Sequence, residues 1–143
     1  MAVKQISVFL ENKQGRLIAV TECLAKHQIN IHALSAADTA DFGILRLIVD
    51  QPDMALQILR EHDFTVLETE VLVVRVEDRP GGLNDILKIL ISADINVDYI
   101  YAFYNMDQAT ALNIIKVDDM SAATAALTEA GVSLLEDRDF DRV

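Results

Sequence analysis

With 143 residues and 52% hydrophobic content, the chain has the length for one domain or two small ones and enough apolar material for a packed core. Its formal net charge of -11 and the absence of any Lys/Arg cluster disfavour a phosphate-backbone partner, so no nucleic acid is expected. No apolar run approaches the roughly 20 residues of a membrane span, and the opening MAVKQISVFLENKQGRL lacks the order of a signal peptide, which makes a cytoplasmic protein without membrane association the expectation.

In chain order, Ile6, Val8 and Leu10 alternate with Ser7 and Phe9, which predicts a strand, and Leu17, Val20 and Leu24 then recur at helical spacing. Cys23 lies in that helix with no basic neighbour to activate it and is expected to pack as a small apolar group. Being single, it cannot close an internal disulfide, and His27, His32 and His62 show no metal-ligand spacing, so neither a metal nor a cofactor is expected. Asn30 to Asp38 and Phe42 to Asp50 read as two strands joined by a hairpin turn at DTADFG. A second helix is predicted from about Pro52 to His62, and the short strand FTVLE closes the unit.

The pattern then begins again. At an offset of 66 positions, ENKQGRLIAVTECLAKHQINI (Glu11 to Ile31) aligns with EDRPGGLNDILKILISADINV (Glu77 to Val97), pairing Glu11 with Glu77, Gly15 with Gly81, Leu17 with Leu83, Asn30 with Asn96 and Asp53 with Asp119. The second copy supplies Leu72, Val74 and Val76 as a strand and Leu83, Ile86, Leu87 and Leu90 as a helix. Strands near 96 to 105 and 109 to 117, a helix near 119 to 130 and the strand VSLLE follow. Further on the offset becomes 68, as LREHDFTVLE faces LTEAGVSLLE, which reads as half a helical turn inserted or lost. Tyr99, Tyr101 and Phe103 alternate on one strand face and read as core or interface, and the tail EDRDFDRV reads as a solvated, frayed end.

Each half is therefore β-α-β-β-α-β, which places the chain in the α+β class as two tandem ferredoxin-like units, with antiparallel sheets and the helices on one face. The division falls at residues 1–70 and 71–143, near Thr69 and Glu70, with no Gly/Ser-rich or Pro-rich linker. A unit of this size leaves sheet edges and one sheet face uncovered, a liability that pairing of the copies would remove.

The loop after the first strand of each copy carries the chemistry. An α-amino acid presents a carboxylate, which the unpaired N–H groups and dipole at a helix start attract, with Gly15, Gly81 and Gly82 letting the backbone approach. It also presents an ammonium, for which Asn12, Asn30, Asp78 and Asn96 offer oxygens. A polar residue after the first strand, PG-x-L opening the first helix, and INI or INV opening the second strand together resemble the ACT domain family. EDRPGGL…INV matches that pattern closely, and ENKQGRL…INI keeps Gly15, Leu17 and Asn30 but has Gln14 in place of proline.

The resemblance covers the whole chain and implies a non-enzymatic regulatory module that binds an amino acid between ACT units, where the first loop of one faces the second strand of its neighbour. Carried onto this sequence, the implied ligand-binding residues are Asn12, Gln14, Gly15, Arg16, Leu17, Asn30 and Ile31 in the first copy. In the second they are Asp78, Gly81, Gly82, Leu83, Asn96 and Val97. The implied partners are a small-molecule amino acid, a metabolic enzyme or other regulator, and further copies in a homo-oligomer. The alternative is a ligand-free structural or oligomerising partner of a metabolic enzyme, consistent with Gln14 softening the first loop. An acylphosphatase-type enzyme finds support only in Arg16 and Arg79, and no nucleophile, base and orienter assemble around them.

Overall fold

The computed structural model describes residues 2–11, 13–38, 42–105 and 110–142. The elements run β1 (Val3–Glu11), α1 (Arg16–Lys26), β2 (Ile31–Asp38), β3 (Phe42–Val49), α2 (Pro52–Glu61), β4 (Thr65–Glu77), α3 (Gly82–Ser92), β5 (Val97–Asn105), β6 (Thr110–Val117) and α4 (Met120–Glu129), followed by a 3-10 helix over Asp137–Arg142. This is β-α-β-β-α-β twice, two tandem ferredoxin-like units, with β4 serving as the last strand of the first and the first strand of the second, and the final strand of the second reduced to a single bridge. The chain divides into two compact units, Lys4–Thr69 and Glu70–Val143 with Met1–Val3.

In the first unit the strands follow the order β2-β3-β1, each pair antiparallel, and the Thr65–Thr69 part of β4 is the fourth strand. Alternation decides the core: Ile6, Val8 and Leu10 of β1 and Leu45, Leu47 and Val49 of β3 turn to one face, where Val20, Cys23 and Leu24 of α1 and Ala55, Ile58 and Leu59 of α2 cover them. Each fully buried large side chain contributes about 1.5–3 kcal/mol. The opposite face is buried as well, at Gln5, Ser7 and Ile48. There Gln5 Nε2 donates to Ser7 Oγ at 3.2 Å, which satisfies two polar groups removed from water. Burial on that face is partial, because Phe9, two residues beyond Ser7 on the same side of β1, is exposed.

The second unit repeats the plan with the order β4-β6-β5, and its core joins Leu72, Val74, Val76, Ile115 and Val117 to Ile86 and Leu90 of α3 and Ala123 and Leu127 of α4. Val71, Val73, Leu112 and Ile114, pointing the other way, are also buried. In both units the second strand carries a bulge one residue after its start, between Ile31 and Ala33 and between Val97 and Tyr99.

Five expectations change. FTVLE and the strand of Leu72, Val74 and Val76 are one continuous strand, β4, because no residue between them breaks extended backbone. The shift of offset lies in the second strand and hairpin, not in a helix: β2 and β5 start 66 apart and β3 and β6 start 68 apart, while α2 and α4 each have 10 residues. The hairpin tips themselves, Thr39 to Asp41 and Met106 to Ala109, lie outside the described residues. VSLLE forms only one bridge, Val74 with Leu134, held by Arg75 N–H to the Ser133 carbonyl and Leu135 N–H to the Val73 carbonyl. The tail is anchored rather than frayed, because Phe140 is buried with its ring 6.0 Å from Phe103, and the Asp139 carboxylate accepts from Glu136 N–H. Leu17, Leu83 and Leu87 are exposed, not core, since each lies on the outer edge of its helix.

Candidate functional site

The two loops after β1 and β4 adopt one backbone solution. Lys13 N–H donates to the Glu11 carbonyl (2.8 Å) and Arg79 N–H to the Glu77 carbonyl (2.9 Å). Arg16 N–H then donates to Lys13 (3.3 Å) and Gly82 N–H to Arg79 (3.0 Å). Gly15 and Gly81 follow as N-caps with φ of 88° and 85°, the left-handed region that glycine enters without steric cost. Neither cap supplies a side-chain hydrogen bond, so the first N–H groups of α1 and α3 have no side-chain acceptor from their cap.

Side chains divide the two loops. In the first, the Lys13 ammonium lies 2.8 Å from a Glu11 carboxylate oxygen. The hydrogen bond from Lys13, its charge and the charge of Arg16 hold Glu11 below the usual carboxylate range. In the second, Arg79 bridges Glu77 (2.6 Å) and Asp85 (2.7 Å) and also donates to the Pro80 carbonyl (3.2 Å). Those bonds, led by the one to Glu77, raise the Arg79 pKa. The second loop has turned its charges on itself.

A pocket of about 250 Å³ opens beside the first loop, lined by Leu10, Glu11, Lys13, Arg16, Leu17, Ala36, Ala37, Gly43, Ile44 and Leu45. Space exists there because Ala37 and Gly43 are small. The matching positions of the second unit are Phe103, half-buried against Phe140, and Ala111. Arg16 Nε is buried and has no hydrogen-bond partner among the described residues, and the guanidinium carbon lies 5.3 Å from the centre of the Phe64 ring. The second unit has Gly82 and Val132 at those two positions, and a groove of about 530 Å³ lies there, lined by Arg75, Glu77, Asp85, Ile89 and Ser133 among others. Gly82 is required by its own packing, since a Cβ would stand 2.3 Å from the Glu77 carbonyl oxygen.

Of the expected site residues, the first pocket collects Arg16 and Leu17. Gln14 and Gly15 are exposed in the turn before them, and Asn12 lies outside the described residues. Gly82 lines the second groove, whereas Asp78, Gly81 and Leu83 are exposed around it. Asn30 and Ile31 stand apart from the loop of their own unit. Glu11 pairs with Phe42 at one end of β3 and Ile31 with Val49 at the other, a separation of about 23 Å at the usual rise per residue.

Asn30 N–H donates to Asp50 Oδ1 at 3.0 Å, and its carbonyl accepts from Asp50 N–H. Asn96 makes the same pair of bonds with Asp118, beside Val97, and its Nδ2 also donates to Asp98. Sequence reasoning missed Glu11, Lys13 and the wall of Ala36, Ala37 and Gly43. The exchange of Ala37 for Phe103 between otherwise matched strands was the signal for it. Among the described residues no group of three or more His, Cys, Asp or Glu could hold a metal ion, and no helix is long and apolar enough to cross a membrane.

The sequence pattern of the ACT domain pair matches residues 1–143. Among solved structures, protein BT0572 from Bacteroides thetaiotaomicron is 40% identical, with a TM-score of 0.94 over 100% of this chain and 98% of that one. The regulatory subunit of aspartate kinase from Thermus thermophilus, in its ligand-free form, shares the fold at 16% identity and a TM-score of 0.64, covering 89% of this chain and 91% of that one. Aspartokinase III of E. coli, in complex with lysine and aspartate, shares it at 16% identity and a TM-score of 0.51, covering 90% of this chain and 31% of that one. No curated protein matches the chain.

Proposed function

The chain belongs to the ACT domain pair family, and from that premise we propose that it is a non-enzymatic regulator that binds one amino acid beside the loop of its first unit. The observation that carries this reading is the pocket of about 250 Å³ whose wall includes Arg16, the owner of a buried Nε donor without a partner. Its polar groups suit a zwitterion: Glu11 answers an ammonium, while Arg16, Lys13 and the N-terminus of α1 answer a carboxylate. Leu10, Leu17 and Leu45 leave room for a small apolar side chain. Binding couples to regulation by linkage, because a ligand that favours one arrangement of the protein shifts its population for a partner to read.

Calorimetry of the intact chain against the common amino acids tests this. At least one should bind at one equivalent per chain in roughly the micromolar to millimolar range. Arg16→Ala and Ala37→Phe, the latter installing the second unit's bulk, should each weaken it at least tenfold. A contribution from Asn30 or Asn96 would have to reach the loop from a different unit, so Asn96→Ala weakening the same binding would support a shared site. A chain inert to every amino acid would overturn the reading, and co-purification with a metabolic enzyme would then favour a ligand-free oligomerising role.

A further inference from the structure

His27 and His62 stand one residue past the ends of α1 and α2 in the first unit, and their rings meet with centroids 5.7 Å apart and planes at 74°. In each ring Nδ1 lies 2.8 Å from the carbonyl oxygen four residues back, Cys23 for His27 and Ile58 for His62. A carbonyl only accepts, so both Nδ1 atoms carry the proton, and in a neutral ring that leaves Nε2 with its lone pair. A histidine that ligates a metal uses this same arrangement, one nitrogen anchored to a backbone carbonyl and the other free to coordinate. With metal–nitrogen bonds of about 2.0–2.1 Å, two imidazoles on one ion hold their ring centres roughly 5–6 Å apart, and the observed spacing lies in that range.

We propose that His27 and His62 form a two-imidazole site for a borderline-soft divalent ion of the zinc type, completed by water, that staples α1 to α2. Imidazole nitrogen suits Zn²⁺, Cu²⁺ and Ni²⁺ and not the oxygen-seeking Mg²⁺. Both histidines are exposed, so the ion and its waters can reach them. Their spacing in sequence matches no motif, because two separate helix ends bring them together. His32, in the bulge of β2, takes no part. The site stands independently of amino-acid binding.

Calorimetric titration of Zn²⁺ into the full chain, its His27→Gln, His62→Gln and His32→Gln variants, and Mg²⁺ into the wild type, decides the matter. The expected result is one Zn²⁺ per chain, weakened at least tenfold by His27→Gln and by His62→Gln, unchanged by His32→Gln, with Mg²⁺ silent. Absence of Zn²⁺ binding, or unchanged affinity in His27→Gln or His62→Gln, overturns the proposal. So does Mg²⁺ binding of equal strength, which would reduce the effect to attraction by the net charge of -11. If one variant fails to fold, the other decides. The wild type offers a further measurement, in which Zn²⁺ should shield both His27 and His62 from modification by diethyl pyrocarbonate, and unshielded rings overturn the site.

Discussion

Adjacent glycines in the second loop serve different physical ends. Gly81 supplies a positive φ, so Gly81→Ala, like Gly15→Ala in the first loop, should cost about 1 kcal/mol of left-handed strain. Gly82 has an ordinary φ but no space for a methyl group against the Glu77 carbonyl, and Gly82→Ala should cost about 3 kcal/mol as overpacking. Urea unfolding ranks the three, and equal losses would contradict the distinction. Glu11 offers a second test: its carboxyl is held low in the fold, so its contribution is present above the ordinary carboxylate range and is lost as pH falls through the depressed folded value. Lys13→Ala should raise the Glu11 titration midpoint toward that of a free side chain, which carboxyl NMR reads directly.

All four helices end in the same way. The N–H two residues past the C-cap bonds back to the carbonyl three before the cap: Ile29 to Leu24, Phe64 to Leu59, Ile95 to Leu90 and Val132 to Leu127. The left-handed residue between cap and donor is Gln28, Asp63, Asp94 or Gly131, and only the last is the residue that favours this conformation. Gln28→Gly should therefore stabilise the chain by about 1 kcal/mol, more than Asp94→Gly, because aspartate tolerates the left-handed region better than glutamine. At the other helix end, Asp119 accepts from Ala122 N–H at 3.0 Å as the N-cap of α4, so Asp119→Ala should cost about 1 kcal/mol. Asp53 matches it at an offset of 66 but lies inside α2, on an exposed ion pair with Lys4, and Asp53→Ala should cost under about 1 kcal/mol. Thermal unfolding of the pair separates a cap from a surface bridge.

At the scale of the molecule, the net charge of -11 makes this an unfavourable surface for polyanions. Cys23 reports on integrity, because it is buried in the core under α1, and burial raises its thiol pKa. The fold thus favours the neutral thiol, and this contribution holds below the ordinary thiol range and fades as pH rises through the raised folded value. Ellman's reagent near pH 8 should react at the rate at which the first unit opens, and should slow when a bound amino acid stabilises it. Fast reaction in the folded chain would contradict the burial.

The repeat, the order of elements and the two glycine-capped loops could be read before any coordinates, because each rests on local rules: alternation in strands, spacing of about 3.6 residues in helices, and glycine where φ must be positive. Gly15 and Gly81 were marked by their place in the pattern, and the structure gives them matching angles. What the repeat could not convey was inequality between its copies. Ala37 and Phe103, or Arg16 with Phe64 against Gly82 with Val132, are single differences in aligned text, and only packing turns them into a pocket in one unit and a groove in the other. The anchoring of the tail by Phe140 and the meeting of His27 with His62 depend likewise on residues far apart in the chain. Local sequence determined which elements form and where their turns fall. Tertiary structure decided the shape and lining of the space beside each loop, about 250 Å³ at the first and about 530 Å³ at the second, because free volume is set by side chains that converge from different strands and helices.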